Sequence, residues 1–216
     1  WHAPERGAVL VDGEPVSGAA LDLLRAETAW VDPAVQLWNR SAVSNLTYGA
    51  AREQQAGLPE ALNAADLAHL LAQLPDGLQT SLGEGGGLVS GGEGQRVRLG
   101  RALLKPNARL VLLDEPFRGL DRERRRLLLA RARKIWAGAT LICVTHDVAD
   151  TRDFDRVAVL QGGRLLEVGA PHALGAQPSR YRALCEADES MFGVAWEERG
   201  WRRLELRAGA VAGAAS

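Results

Sequence analysis

Cysteine is scarce in this sequence, with only Cys143 and Cys185 among 216 residues. They lie far apart and form no metal-like pair, which fits a reducing, cytosolic setting. Cys143 sits in the apolar run Leu141-Ile142-Cys143-Val144 and reads as a buried structural thiol. No apolar run approaches the length of a membrane span, and no signal-peptide pattern is visible. Any membrane link is therefore expected from another segment or chain. An excess of either charge is also missing: 26 Lys and Arg stand against 27 Asp and Glu. The formal net charge of −1 gives no reason to expect a nucleic-acid partner. No internal repeat is visible. Residue 1 is Trp rather than Met, so the sequence is expected to begin mid-stream. What remains is a globular composition, 46% hydrophobic and 25% charged, long enough for one full core.

The chain is organised around residues 88–121. A Gly-rich turn, Ser90-Gly91-Gly92-Glu93-Gly94, feeds an Arg- and Leu-rich helix. The free N–H groups of a helix start, with the positive end of its dipole, suit a phosphate. An apolar strand follows and ends in two carboxylates, Leu110-Val111-Leu112-Leu113-Asp114-Glu115. A carboxylate pair at the end of a buried strand suits a hydrated Mg²⁺ and an attacking water. Together these features point to nucleoside triphosphate chemistry.

Four segments carry a family resemblance. Ser90-Gly91-Gly92-Glu93-Gly94-Gln95-Arg96 resembles the signature loop of ATP-binding cassette (ABC) ATPases. The strand ending at Asp114-Glu115 resembles their Walker B strand, and Gly119-Leu120-Asp121 their D-loop. Val144-Thr145-His146-Asp147 resembles the switch-histidine loop. The four occur in the family's order and spacing. Asn45-Leu46-Thr47-Tyr48-Gly49 and the Gly83-Glu84 segment are similar to exporter-type cassettes. The G-x-x-x-x-G-K-[ST] phosphate loop of such domains does not occur in the sequence. It is expected just upstream of residue 1, which would make this chain a partial cassette.

The resemblance implies an α/β fold: a mainly parallel core sheet flanked by helices, with a helical subdomain inserted and the first strands and phosphate loop missing. Residues 1–190 are expected to form the partial cassette, with the Q-loop, helical subdomain and signature helix at about 37–105. Residues 191–216 form a C-terminal extension whose last residues read as disordered. Expected elements are a strand at 8–12, a helix at 17–24 capped by Ser17, and a buried strand at 28–31. Residues 50–74 read as helical, with Pro59 at a first helical position and Leu67, Leu70, Leu71 and Leu74 on one apolar face. A helix at 91–104 is expected to bury Val97, Leu99, Ala102 and Leu103, while Arg96, Arg98 and Arg101 project from the surface. A central strand at 109–114 and a helix at 122–137, capped by Asp121, come next; the helix's basic run reads as a solvated face. A buried strand at 140–145, a hairpin around Gly162-Gly163 and a helix at 171–190 complete the chain.

By resemblance, Ser90 and the N–H groups of Gly91 and Gly92 hold the γ-phosphate of ATP bound to a second, facing cassette. Glu93 replaces the usual Gln and is repulsive to a polyphosphate unless it points away or pairs with an Arg. Asp114 is implied as the Mg²⁺ ligand, Glu115 as the residue that orients the attacking water, His146 as a γ-phosphate contact, and Asp121 as a link across the dimer. The Q-loop glutamine position holds Pro33; Gln36 either substitutes for it or is a surface polar residue. The partners implied are a second cassette, identical or different, and transmembrane domains upstream on the same polypeptide. The implied location is the cytoplasmic face of the cell membrane. The leading reading is the ATP-hydrolysing cassette of an exporter, with this fragment inactive alone. A non-hydrolysing partner cassette and a soluble, non-transport ABC ATPase are the alternatives.

Overall fold

The computed structural model describes residues 4–197, 205–207 and 210–212. The chain divides into two compact units, one up to His146 and one from Asp147.

The first unit opens with a small hairpin, β1 (Leu10–Val11) and β2 (Glu14–Pro15), shorter than the strand expected at 8–12. Asp12 and Gly13 turn it with φ of 53° and 85°, the mirror-image turn that matches strand twist. Helix α1 (Gly18–Ala26) follows Ser17, whose side chain makes no capping hydrogen bond. Strand β3 (Thr28–Val31) then enters a parallel sheet with β4 (Leu110–Asp114) and β5 (Thr140–Val144), in the order β3-β4-β5. The strands align Ala29 with Val111 and Leu141, and Trp30 with Leu112 and Ile142. Ala29, Val31, Val111 and Leu113 are buried on one face. Trp30, Ile142 and Val144 are exposed on the other. Full burial of β3 and β5 was the expectation. In β3 only Trp30 departs from it, whereas in β5 Thr140, Ile142 and Val144 are exposed and Leu141 and Cys143 are half-buried rather than sealed in a core.

Between β3 and β4 lie the helices α2 (Ala42–Leu46), α3 (Arg52–Gln55), α4 (Leu58–Ala64), α5 (Ala68–Gln73) and α6 (Gly91–Leu103). The run expected to be helical over 50–74 is thus three short helices. Gly57 interrupts it, and Asp66 breaks it with a φ of +55°. Pro59 is the second residue of α4, not the first. Leu67 and Leu70 are buried, as the apolar face required. Helix α6 buries Val97, Leu99, Ala102 and Leu103 and packs on α2, α4 and β3. Gly100 permits this approach: a Cβ there would lie 2.9 Å from Leu46 Cδ2 and 3.0 Å from Leu67 Cδ1.

The arginines of α6 depart from expectation. Arg96 is only 5% exposed and pairs with Asp66. Arg98 and Arg101 bond to the carbonyls of Val35 and Asn45, and Arg101 also stacks over Trp38 and Tyr48. Carbonyl acceptors and aromatic faces let these long cations lie inward. Burial, with the nearby charge of Arg98, brings Arg101 down to about 10.

Helix α7 (Arg122–Ile135) buries Leu128, Leu129 and Ala132. Its basic run is not wholly solvated: Arg124 pairs with Asp66, and Arg131 donates to the Asn63 carbonyl.

The second unit holds the hairpin of β6 (Val157–Gln161) and β7 (Arg164–Gly169), turned at Gly162-Gly163. Helices α8 (Pro171–Ala176) and α9 (Arg180–Glu197) follow. Pro178 separates what was expected as one helix at 171–190. Val159, Leu174 and Tyr181 form a small core there, and Glu167 accepts the Arg180 and Tyr181 amides at the start of α9. Helix α9 continues beyond residue 190, and β8 (Glu205–Arg207) pairs antiparallel with β9 (Ala210–Ala212). Of the 191–216 extension expected to be partly disordered, residues 198–204, 208–209 and 213–216 lie outside the described residues.

Candidate active site

The parallel pairing of β4 with β5 brings two sequence-distant loops to the same sheet end, where open α/β sheets place ligands. Glu115 follows directly on β4, and His146 follows β5 by one residue. The Glu115 amide donates to the Val144 carbonyl at 2.9 Å, extending the ladder past β4. Glu115 Oε1 accepts the His146 amide at 3.1 Å and lies 2.7 Å from His146 Nδ1. The Glu115 carboxylate accepts a hydrogen bond from Nδ1–H, which leaves Nε2 for a ligand. Glu115 holds a φ of +42°, a backbone state that L residues adopt only when neighbours enforce it. The buried Gln95 donates to its carbonyl at 2.9 Å.

Asp114 lies beside this pair. Burial pushes its carboxyl up, and the charges of Asp32 and Glu115 push it further. Asp32 was not among the residues singled out from the sequence. Its only signal was its place next to Pro33, where the glutamine was missing. Gln36 is exposed, and no hydrogen bond joins it to the cluster among the described residues.

The start of α6 is built differently. Ser90 caps the helix, and its Oγ accepts the Glu93 amide at 3.3 Å. Glu93 Oε2 accepts the Ser90 amide at 2.7 Å, completing a capping box. That bond, above all, holds the Glu93 carboxyl below its usual range. So Glu93 points back on its own helix, but its negative charge sits at the amide end that an anion would use. Gly91 leaves open space where a Cβ would go. Gly92 does not: a Cβ would come within 2.9 Å of Leu120 Cδ2 and 3.1 Å of the Gly119 carbonyl. The signature turn is therefore packed on the 119–121 turn. A cavity of about 580 Å³ opens here, lined by Ser90, Gly91, Gly92, Arg96 and Arg124 among others. Asp121 caps α7 by accepting the Arg124 amide at 2.9 Å, which lowers its pKa.

Among the described residues, no group of three or more His, Cys, Asp or Glu side chains has the spacing of a full metal cage. Mg²⁺ needs none, since it takes one or two carboxylates and completes its shell with water and phosphate oxygens. The Asp114 carboxylate, destabilised by two neighbouring negative charges, fits such an ion.

An ABC transporter family model matches residues 2–118. The chain belongs to the ABC transporter family. Among its curated relatives are proteins named ATP-dependent lipid A-core flippase from Chromobacterium violaceum and Xanthomonas euvesicatoria. They are 36% identical over 184 residues and 37% over 185. Each match covers 85% of this chain and 31% of the relative, so the chain spans about a third of those proteins. The solved structure of a bacterial Atm1-family ABC exporter with ATP bound superposes with a TM-score of 0.79 at 30% identity. That match covers 87% of this chain and 33% of the exporter chain. The fold is thus that of an exporter-type ABC ATPase cassette, with the parallel sheet and helices the sequence implied. No described helix is long and apolar enough to cross a membrane.

Proposed function

We propose that this chain supplies the hydrolytic half of an ATP site in an exporter-type ABC transporter, and the signature half of a second site. The observation that carries it is the Glu115–His146 pair, 2.7 Å apart at the end of two parallel strands and next to Asp114. Glu115 orients and polarises the attacking water. His146 contacts the γ-phosphate through Nε2. Asp114 is the residue that would hold Mg²⁺, and the ion would supply positive charge to the phosphates. Positioning and charge stabilisation account for most of the catalysis in phosphoryl transfer.

Ser90, Gly91 and Gly92 face the ATP of a partner cassette, identical or different, and Asp121 lies at the junction between the two sites. Residues 1–190 make up the cassette part, and Gln36 has at most a peripheral role. Residues 1–216 contain no loop to cradle the ATP phosphates, so this chain alone turns over no ATP. Transmembrane domains on the same polypeptide place the cassette on the cytoplasmic face of the membrane. The names of the relatives make an amphipathic lipid the first transport substrate to assay.

Glu115→Gln in the ATP-binding assembly that carries this chain should abolish turnover and preserve nucleotide binding. Normal turnover in that variant sinks the assignment. A second reading has its own support: Glu93 places a carboxylate where the partner's γ-phosphate would approach. On that reading this signature half-site is weak and the hydrolytic work falls to the other. If so, Glu93→Gln should tighten ATP-dependent dimerisation.

A further inference from the structure

A continuous line of hydrogen bonds joins the loop at 32–38 to the Glu115–His146 pair. Val35 O accepts from Arg98 Nε at 2.6 Å. Arg98 Nη1 donates to Gln95 Oε1 at 2.9 Å, and Gln95 Nε2 donates to Glu115 O at 2.9 Å. Glu115 Oε1 then receives the His146 amide. Each step is chemically directed. The guanidinium can only donate, so Gln95 must turn its oxygen toward Arg98 and its NH₂ toward the Glu115 carbonyl. Reversing that amide would set oxygen against oxygen at one end and N–H against N–H at the other. Gln95 is 3% exposed, so water competes little for its bonds. Arg98 offers two donors in a rigid planar fork, and each meets its own acceptor. Asp32 adds its negative charge beside that fork.

The residue at the end of the line is the one that needs support. Glu115 has a positive φ, and its carbonyl belongs to the peptide whose orientation sets where the carboxylate points. Proline follows at 116, so that peptide has no N–H with which to anchor itself. Its carbonyl is held by the Gln95 amide at 2.9 Å and, more weakly, by the Arg118 amide at 3.3 Å.

We propose that Arg98 and Gln95 are positioning residues that keep the Glu115 carboxylate in register with the 32–38 loop. When the Val35 carbonyl shifts, Arg98 loses an acceptor, Gln95 is released, and Glu115 turns away from His146. The catalytic consequence rests on the ATP-hydrolysis reading above; the mechanical link does not. The loop would thereby reach the carboxylate through a backbone carbonyl, although Pro33 has no side chain able to do so.

The test combines two readouts. Site-resolved amide hydrogen exchange is measured on this chain, and kcat and KM for ATP on the membrane assembly that carries it. With Arg98→Ala, exchange at Glu115 and His146 should rise about ten-fold, as for one net hydrogen bond. Exchange at Val111 and Leu113 should stay at the wild-type rate. Turnover should fall by a similar factor with KM for ATP unchanged. Gln95→Ala should do the same, and the double variant should fall no further than Gln95→Ala alone, because both lie on one line. Arg98→Lys, which keeps the charge without the fork, should give an intermediate result and serves if Arg98→Ala does not fold. Wild-type exchange at Glu115 and His146 in the Arg98 variants overturns the proposal. So does a rise spread evenly over β4, or additive effects of the two substitutions. Full turnover in Glu115→Gln would instead overturn the hydrolysis reading, and the exchange arm would still decide the line.

Discussion

At the end of β4 the Asp114 carboxyl is pushed up by burial and by two neighbouring carboxylates, with no amide of its own strand to relieve it. At the starts of α6 and α7, Glu93 and Asp121 are pulled down by amides of their own helices. Asp114, Glu93 and Asp121 lie within one stretch of sequence, yet the first is crowded by like charge and the other two are taken up by helix caps. The difference follows from where each element ends. A parallel strand delivers its last side chains to the open end of the sheet, whereas a helix N-terminus presents free N–H groups that a nearby acid can cap. A carboxylate next to such amides is therefore weak evidence of chemistry, and one crowded by its own kind is stronger evidence.

This contrast can be broken by substitution, most sharply at the strand end. Glu115→Gln should lower ATP turnover roughly a thousand-fold, within the range for a positioned general base. Equilibrium ATP binding, measured in the same variant, should stay within a factor of two or so of wild type. Next in size is the loop that faces Asp114. The fully buried Asn45 accepts the Trp38 amide and donates to the carbonyls of Trp38, Arg40 and Ser41. Asn45→Ala strands those backbone groups and should cost about 3 kcal/mol in urea unfolding. Gly92→Ala forces a Cβ against Leu120 and the Gly119 carbonyl and should cost about 2 kcal/mol by the same measurement.

Smallest is the effect at the helix starts. The lowered pKa of Glu93 means that its stabilising contribution is complete above the unfolded-state carboxyl value. It is lost as pH falls through the lower, folded value. Glu93→Gln removes this titration, so the drop in Tm below about pH 4 should become shallower by a degree or so. A steeper drop would mean that the Glu93 carboxylate is not spent on capping.

Much of the site was legible in the sequence. The Asp121 cap, the carboxylates ending β4, and His146 after β5 each follow from a local rule: a capping residue, an apolar run, a strand terminus. Sequence reasoning failed at Arg96, Arg98 and Arg101, expected on the surface and found turned inward. Helical spacing says which way a side chain leaves the helix, but not that carbonyls and an Asp wait there. Asp32 and Gln95 were missed for the same reason, since their partners are tens of residues away in the chain. The three-way break of 50–74 was also hidden, because Ala- and Leu-rich composition favours helix throughout.

By itself, then, the sequence determined the α/β class, the order of the motifs, the Asp121 cap, the Gly162-Gly163 turn and the carboxylates that end β4, because those depend on neighbours within a turn or two. Only the tertiary structure decided that Glu115 meets His146, that Glu93 is turned back on Ser90, and that Arg98 and Gln95 link a loop to a carboxylate. Hydrogen-bond partners distant in sequence are chosen by packing, and the energy of an acid depends on what packing sets beside it.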